Sequence, residues 1–289
     1  MQEIVGHYKQ KTFLWENYSE SPTWLLSGRK GIGKYTTALA LAKHIFQCDS
    51  IDSYPDVMLV DGSTSSMTTI RKVKHFLQMT PMGSSYKMAI LDNADDLNEN
   101  AVNALLKILE EPLGKSLIFL ISHNIHDIPI VLQSRCMILP FQELSIEESM
   151  QVIKLNYPDM QHIETAASLY PGTPGMVTEE IDSEISLYET IESIVYNKNE
   201  NFALEKILKT ELSIEKIEYL VLRSVFDYGV KTADVYEATS DNKNMLQHIS
   251  EKYSAILKTF STSRKLNIQK EATLFKVLEI MRSLVVKQL

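Results

Sequence analysis

A glycine-rich turn between an apolar strand and a helix is the feature that most limits how this chain can fold. Residues 28–34 have the sequence GRKGIGK, which satisfies the pattern G-x-x-x-x-G-K. The apolar run 24–27 (WLLS) precedes the turn, and residues 38–45 follow it with apolar positions at helical spacing. In this context the backbone N–H groups of the turn surround a phosphate at a helix N-terminus, where the helix dipole favours an anion. We therefore predict a phosphate-binding loop, with Lys34 reaching the outer phosphates of a nucleotide.

Residues 87–112 (KMAILDNADDLNENAVNALLKILEEP) supply a second part of such a site. The apolar run 88–91 predicts a buried strand of a parallel sheet, and Asp92 ends it. In proteins with a phosphate-binding loop, an acidic residue at this position holds Mg²⁺ against the nucleotide. Asn98 then predicts a helix N-cap, and Pro112 predicts the end of that helix because proline disfavours helical geometry at the residue before it.

Strands and helices alternate along the first half of the chain. Apolar runs at 56–60, 117–121 and 137–139 predict further strands, and residues 68–78 predict an amphipathic helix. Repeated strand-then-helix units predict an α/β fold with a parallel, doubly wound sheet.

Beyond about residue 141 only helical patterns remain. Polar loops are expected at 197–201 and 240–244. Longer helices are predicted at 184–196, 202–208, 213–227, 245–262 and 270–289. We therefore predict three domains: a P-loop domain at 1–142, a small helical lid at 143–182 and an all-α domain at 183–289.

Composition and charge limit the classes of function that we expect for this chain. The 289 residues are 44% hydrophobic and 23% charged, which is typical of a globular protein. The formal net charge of -8 argues against an overall electrostatic grip on DNA, although a local basic face stays open. The two cysteines, Cys48 and Cys136, are far apart and predict neither a disulfide framework nor a zinc site. The absence of a signal-peptide core and of any membrane-length apolar run leads us to expect a cytoplasmic protein without membrane contact.

The residue after Lys34 departs from the pattern of hydrolysing enzymes. Such enzymes place Ser or Thr there because its hydroxyl ligates Mg²⁺. Here the residue is Tyr35, whose phenolic oxygen lies a ring away from the backbone, and Thr36 comes one residue late. We therefore expect impaired magnesium binding and no metal held by the protein itself.

Other polar residues favour plainer interpretations. The seven histidines show no ligand-like spacing. His123, at the end of the predicted strand 117–121, could line the site, but a solvated loop position is the better expectation. The acidic pairs Asp95-Asp96 and Glu110-Glu111 are expected to be helix-flanking charges and not a carboxylate dyad.

Taken together, these residues resemble the bacterial clamp-loader branch of the AAA+ proteins, and within it the delta-prime subunits of DNA polymerase III. The resemblance begins at residues 4–7 (IVGH), similar to an adenine-side box, and continues through the P-loop. It is strongest at residues 103–112 (NALLKILEEP) and 134–136 (SRC). The C-terminal half agrees only in class, as a lid followed by a collar domain for oligomerisation.

The branch contains ATP-hydrolysing motor subunits and delta-prime subunits with degraded sites. Asn93 follows Asp92 where an active subunit has Glu, and a neutral amide cannot accept a proton from the attacking water. Residues 172–176 (GTPGM) lack the sensor arginine that motor subunits carry in this region. Together with Tyr35, these departures imply a chain without ATPase activity of its own. The resemblance implies a degenerate nucleotide site formed by Gly28, Gly31, Gly33, Lys34, Tyr35, Thr36, Asp92 and Asn93.

The resemblance also bears on cofactors. It implies that none is required, although binding of ATP or ADP without hydrolysis stays open. Many relatives carry a four-cysteine zinc insert after the P-loop helix, of which only Cys48 is present here, so no zinc is expected.

Arg135, in the SRC stretch, has a separate meaning. In AAA+ rings such an arginine points at the neighbouring subunit's ATP and stabilises the transition state. The resemblance implies that Arg135 is this trans-acting finger; an ordinary surface or salt-bridged arginine is the alternative.

The implied partners are those of a clamp loader within the DNA polymerase III holoenzyme. They are gamma/tau-type ATPase subunits, a delta subunit and the sliding clamp, with primed DNA reached through the complex. The alternative function is an active AAA+ ATPase, either a motor subunit or a helicase-type remodeller.

Overall fold

The computed structural model describes residues 4–52, 54–110, 115–196, 205–235 and 240–284. The chain divides into two compact units, Met1–Thr178 and Glu179–Leu289. Residues 143–178 belong to the same unit as the P-loop, and the separation of a lid domain from its neighbours stays a prediction. None of the helices in the described ranges is long and apolar enough to cross a membrane.

The first unit is built on a five-stranded sheet in the order β2-β3-β4-β1-β5, and every pairing is parallel. The strands are β1 (Thr23–Ser27), β2 (Val57–Asp61), β3 (Lys87–Asp92), β4 (Ser116–Ser122) and β5 (Met137–Pro140). Ser27 is opposite Ser122, and Asp61 is opposite Asp92. Polar residues therefore end four strands at one edge of the sheet, which is where α/β proteins bind ligands. The α/β prediction is confirmed.

Helices cover both faces of this sheet. They are α1 (Tyr8–Asn17), α2 (Lys34–Phe46), α3 (Met67–Gln78), α4 (Glu99–Glu110) and α5 (Ile130–Gln133), whereas α6 (Ile146–Asn156) and α7 (Ile163–Leu169) follow the last strand. Leu25 and Leu91 face a core shared with α3 and α4, whereas Trp24 and Ile90 face a core shared with α1 and α2. The alternation arises because successive side chains of a strand point to opposite faces. Both faces are buried, as the continuous apolar runs predicted.

The start of α4 agrees with the sequence. Asn98 accepts a hydrogen bond at its Oδ1 from the backbone N–H of Ala101, at 3.0 Å, as an N-cap does. Within the described residues α4 extends to Glu110. The predicted stop at Glu111 and Pro112 lies outside the described residues.

A buried ion pair fixes the connection from α3 to β3. Asp56 Oδ1 lies 3.0 Å from Lys87 Nζ, and the two side chains are 0% and 4% exposed. The Asp56 carboxylate also accepts hydrogen bonds from the backbone N–H groups of Met82 at 2.9 Å and Gly83 at 2.8 Å. Lys87 Nζ donates in addition to the Pro55 carbonyl at 3.1 Å. The Asp56 carboxylate thus accepts hydrogen bonds from the loop before β3 and also pairs with the Lys87 ammonium.

The described part of the second unit contains helices and connecting turns but no strand. Residues 205–208 are helical, and the longer helices are α8 (Ile181–Val195), α9 (Ile214–Val235), α10 (Ser240–Leu266) and α11 (Lys270–Arg282). The expected loop at 240–244 is wrong, because these residues form the start of α10. Ser, Asp and Asn are favoured at helix starts, so a polar run there does not require a loop. The expected loop at 197–201, the start of the helix predicted at 202–208 and residues 285–289 lie outside the described residues.

Candidate functional site

The P-loop (residues 28–34) joins the end of β1 to the start of α2. Gly28 has a φ of 145° and Gly31 a φ of 82°, both in the region that L side chains rarely adopt. A Cβ atom at Gly28 would lie 2.6 Å from the Phe141 carbonyl oxygen, and one at Gly31 would lie 2.8 Å from Met176 Cγ. The predicted loop therefore needs glycine at these positions for both conformation and space.

The buried Lys34 side chain bonds to its own loop. Its Nζ donates to the carbonyl oxygens of Gly28 at 2.5 Å and Arg29 at 2.6 Å. Burial lowers the pKa of Lys34 to about 8, although the carboxylates of Asp92 and Asp95 act in the opposite direction. An ammonium held in this way can exchange its carbonyl partners for phosphate oxygens.

We expect Lys34 to titrate near pH 8, since burial outweighs its acidic neighbours. Exposed lysines titrate at about 10.4. NMR of protein labelled at lysine Cε would follow the transition. The variant Asp92→Asn should lower the midpoint further, because the carboxylate raises the lysine pKa. A Lys34 midpoint above 10 would contradict this assignment.

Tyr35 and Thr36, the two residues after Lys34, lie in the first turn of α2. Tyr35 is half-buried against the core of α1 and α2, and burial together with the Asp92 and Asp52 carboxylates raises its pKa. Thr36 is exposed. The next hydroxyl, that of Thr37, donates to the Gly33 carbonyl at 2.9 Å within α2. The position of the usual Mg²⁺ ligand is therefore filled by an aromatic ring.

Asn93 is held between two strand ends in a left-handed conformation, with a φ of 50°. Its Nδ2 donates to Asp61 Oδ1 at 2.9 Å, and its Oδ1 lies 2.8 Å from His123 Nε2. An ionised carboxylate only accepts, so the amide nitrogen must face Asp61. The Asn93 oxygen then accepts from His123, which places the imidazole proton on Nε2. We call these three residues the Asp61–Asn93–His123 chain.

For His123 the sequence interpretation favoured a solvated loop position over a place in the site. It is half-buried, and its backbone N–H donates to Asp95 Oδ1 at 2.8 Å, so the solvated loop position expected for it is wrong. Burial lowers its pKa and the Lys34 ammonium adds to the effect, while the Asp95 and Asp92 carboxylates act in the opposite direction. Its Nδ1 and the neighbouring Ser122 hydroxyl are buried with no hydrogen-bond partner among the described residues. The available signal was its place directly after β4, at the same sheet edge as Asp92.

Two distant segments bind the P-loop backbone. His7 Nε2 lies 2.6 Å from the Ile32 carbonyl oxygen, so the predicted adenine-side box touches the loop. The backbone N–H of Gly175 donates to the Gly31 carbonyl at 2.8 Å. The segment that lacks the sensor arginine therefore packs directly on the loop.

Arg135 lies away from this network, just after α5. Its Nη2 donates to Glu110 Oε1 at 2.6 Å, and its Nη1 donates to the Val131 carbonyl at 2.8 Å. The Arg135 side chain is 37% exposed. The next residue, Cys136, is half-buried, and burial raises the pKa of its thiol to about 12. The ion pair matches the plainer interpretation of Arg135, while the trans-acting finger stays a prediction.

Metal-ligating groups are not clustered in the part of the chain that the structure describes. No three His, Cys, Asp or Glu side chains there are arranged to hold a metal ion. The site geometry is thus that of a P-loop, a strand-end hydrogen-bonded chain and a separate exposed arginine.

Comparison with known proteins bears on the same half of the chain. Residues 9–145 match the family model described as "DNA polymerase III, delta subunit". DNA polymerase III subunit delta' of Bacillus subtilis is 35% identical over 141 residues, 43% of this chain and 43% of the relative. DNA polymerase III subunit gamma of Buchnera aphidicola is 32% identical over 148 residues, 45% of this chain and 41% of the relative. The match thus spans less than half the length of these curated relatives.

A solved structure extends the similarity of fold to the whole chain. The DNA polymerase III gamma subunit-related protein from Thermotoga maritima superposes with a TM-score of 0.54 at 18% identity. The superposition covers 95% of this chain and 99% of the other. These matches confirm the resemblance seen in the sequence: the chain has the AAA+ fold, and its P-loop half is similar to the delta-prime subunits of the bacterial DNA polymerase III clamp loader.

Proposed function

We propose that this chain is a non-catalytic stator subunit of a DNA polymerase III clamp loader. It donates Arg135 to a neighbouring ATPase subunit while the complex loads the sliding clamp onto primed DNA. Its partners are gamma/tau-type ATPase subunits and a delta subunit. Because the matched relatives are named as DNA polymerase III subunits, the proposal includes a cytoplasmic location.

The Asp61–Asn93–His123 chain is the observation that carries this proposal. Hydrolysis needs a group that accepts a proton from the attacking water. At the position of that group, both polar atoms of the Asn93 amide are already engaged, one by Asp61 and one by His123. The amide is neutral and does not accept a proton at pH 7. This arrangement supports a subunit that does not hydrolyse ATP.

The ring of Tyr35 supports the same conclusion, because it stands where a hydroxyl ligand to Mg²⁺ is usual. Phosphoryl transfer depends on Mg²⁺ to neutralise the developing charge. The half-buried phenol lies against the hydrophobic core and offers no short hydroxyl beside Lys34. Binding of ATP or ADP through the P-loop glycines and Lys34, without hydrolysis, is compatible with the proposal.

The surroundings of Arg135 support the donated finger. An arginine finger has to leave its own subunit and reach a partner's phosphates, so it must be accessible. Arg135 is 37% exposed, and its partner Glu110 is 53% exposed. The Arg135 guanidinium lies at the surface of the unit, outside the buried core.

Phosphate release by the purified chain tests the non-catalytic assignment. We expect no ATP hydrolysis above background by the chain alone, with or without primed DNA and clamp. The same preparation, assembled with gamma-type and delta subunits, should support clamp-stimulated hydrolysis. The matched control is the gamma-type subunit alone, measured at equal concentration. Hydrolysis by the chain alone that survives further purification would favour the active-ATPase alternative.

A further inference from the structure

Glu110 and Arg135 are brought together by the ends of two packed helices. Glu110 is the last described residue of α4, and Arg135 follows α5 by two positions. The apolar sides of both helices belong to the same core, through Ile108 and Leu132. The ion pair therefore lies at the exposed ends of two helices, and the packing of α4 against α5 brings the two residues together.

The contact turns the guanidinium back onto its own unit. Nη2 bonds to Glu110 Oε1 at 2.6 Å, while Nη1 bonds to the Val131 carbonyl at 2.8 Å and to Ser134 Oγ at 3.4 Å. These acceptors lie within α4, α5 and the turn after α5. To reach an anion on another subunit, the Arg135 side chain has to leave Glu110.

The cost of that release is small. Exposed ion pairs contribute little because water and salt screen them, and breaking one shifts an equilibrium by roughly 1.5- to 5-fold. The bond to Glu110 joins one nitrogen to one oxygen. A polyphosphate offers several anionic oxygens, and arginine binds phosphate with two parallel hydrogen bonds. An ATP phosphate can therefore displace the carboxylate, although the carboxylate charge opposes its approach.

We propose that Glu110 restrains the arginine finger: its carboxylate holds Arg135 against α5 in the unassembled chain and gives it up to the triphosphate of a neighbouring subunit's ATP. The inference rests on the proposed function of Arg135. It assigns to Glu110 a restraining role in assembly, with no contact to the reacting atoms.

The variant Glu110→Gln tests the restraint, because it keeps the shape of the side chain and removes its charge. The ATPase rate of gamma-type and delta subunits, with clamp and primed DNA, is measured as this chain is titrated into the mixture. We expect the half-saturating concentration of the chain to fall by roughly 1.5- to 5-fold, with an unchanged maximal rate. Glu110→Ala should change it in the same direction. Glu99→Gln, which removes an exposed charge from the other end of α4, is the matched control and should have no effect.

The Arg135→Ala background separates the two hypotheses. If Arg135→Ala lowers the rate and Glu110→Gln strengthens the response only when Arg135 is present, the restraint is supported. If Arg135→Ala lowers the rate but Glu110→Gln leaves the half-saturating concentration unchanged, or raises it, the restraint is overturned while the finger stands. If Arg135→Ala changes nothing, the finger and its restraint both fall. Thermal melting of each variant establishes that it is folded.

Discussion

Replacing Arg135 by alanine is expected, under the proposed stator function, to abolish most of the ATP hydrolysis at the neighbouring ATPase site. An arginine finger stabilises charge on the transferring phosphoryl group and is worth roughly 10³-fold or more in turnover. Stability should change little, because the side chain is 37% exposed and its ion pair with Glu110 is an exposed one. The measurement is the clamp- and DNA-stimulated ATPase rate of complexes assembled with each variant.

Two further variants sharpen this experiment. Arg135→Lys keeps the positive charge but loses the planar fork, so we expect only partial activity. Arg264→Ala is the matched control, since Arg264 is also an exposed arginine paired with a glutamate, Glu218. Size-exclusion chromatography shows whether each complex has assembled. An assembled Arg135→Ala complex with the wild-type rate would rule out the finger and leave a scaffold role only.

Replacing Asp56 by alanine should give the largest loss of stability, about 3–5 kcal/mol. The change leaves the Lys87 ammonium buried at 4% side-chain exposure without its carboxylate. It also leaves the backbone N–H groups of Met82 and Gly83 without their acceptor. Urea unfolding measures the difference, and Asp49→Ala, at an exposed position, should stay within about 0.5 kcal/mol of the wild type.

The same ion pair predicts how stability depends on pH. Burial raises the pKa of Asp56, but the bonds from Gly83, Met82 and Lys87 together lower it below its usual value. A carboxyl with a lowered folded-state pKa stabilises the fold above its unfolded pKa, about 3.9, and this contribution is lost as pH falls through the folded value.

The double variant Asp56→Ala/Lys87→Met should regain part of the stability lost in Asp56→Ala, since it removes the uncompensated charge. A loss below about 1 kcal/mol for Asp56→Ala would show that the pair is dispensable.

Much of the P-loop half could be predicted because its signals are local. Strands buried on both faces are short apolar runs, and each predicted run lies within one or two residues of an observed strand. Asn98 predicted the start of α4, because its N-cap hydrogen bond reaches only three residues along the chain. In the helical half the boundaries were less certain, and the polar run at 240–244 was misassigned because the same residues favour loops and helix starts.

The contacts that define the site could not be predicted in this way. The Asp61–Asn93–His123 chain joins the ends of three strands that are about thirty residues apart in sequence, and only the sheet order brings them together. Likewise, the Glu110–Arg135 contact spans 25 residues and depends on the packing of α4 against α5. The resemblance singled out Asn93 and Arg135, but the structure was needed to show what each one touches.

The Asp61–Asn93–His123 chain also constrains how this site could change over evolutionary time. A Glu at position 93, as active subunits have, would place a second carboxylate beside that of Asp61, where like charges repel. It would also remove the amide N–H that donates to Asp61, whereas a carboxylate oxygen could still accept from His123 Nε2. A Glu at position 93 is therefore opposed by Asp61, and a change of Asp61 alone removes its bond to Asn93. Under the proposed function, the bond between Asp61 and Asn93 thus favours a site without a carboxylate at position 93, because changing either residue alone breaks that bond.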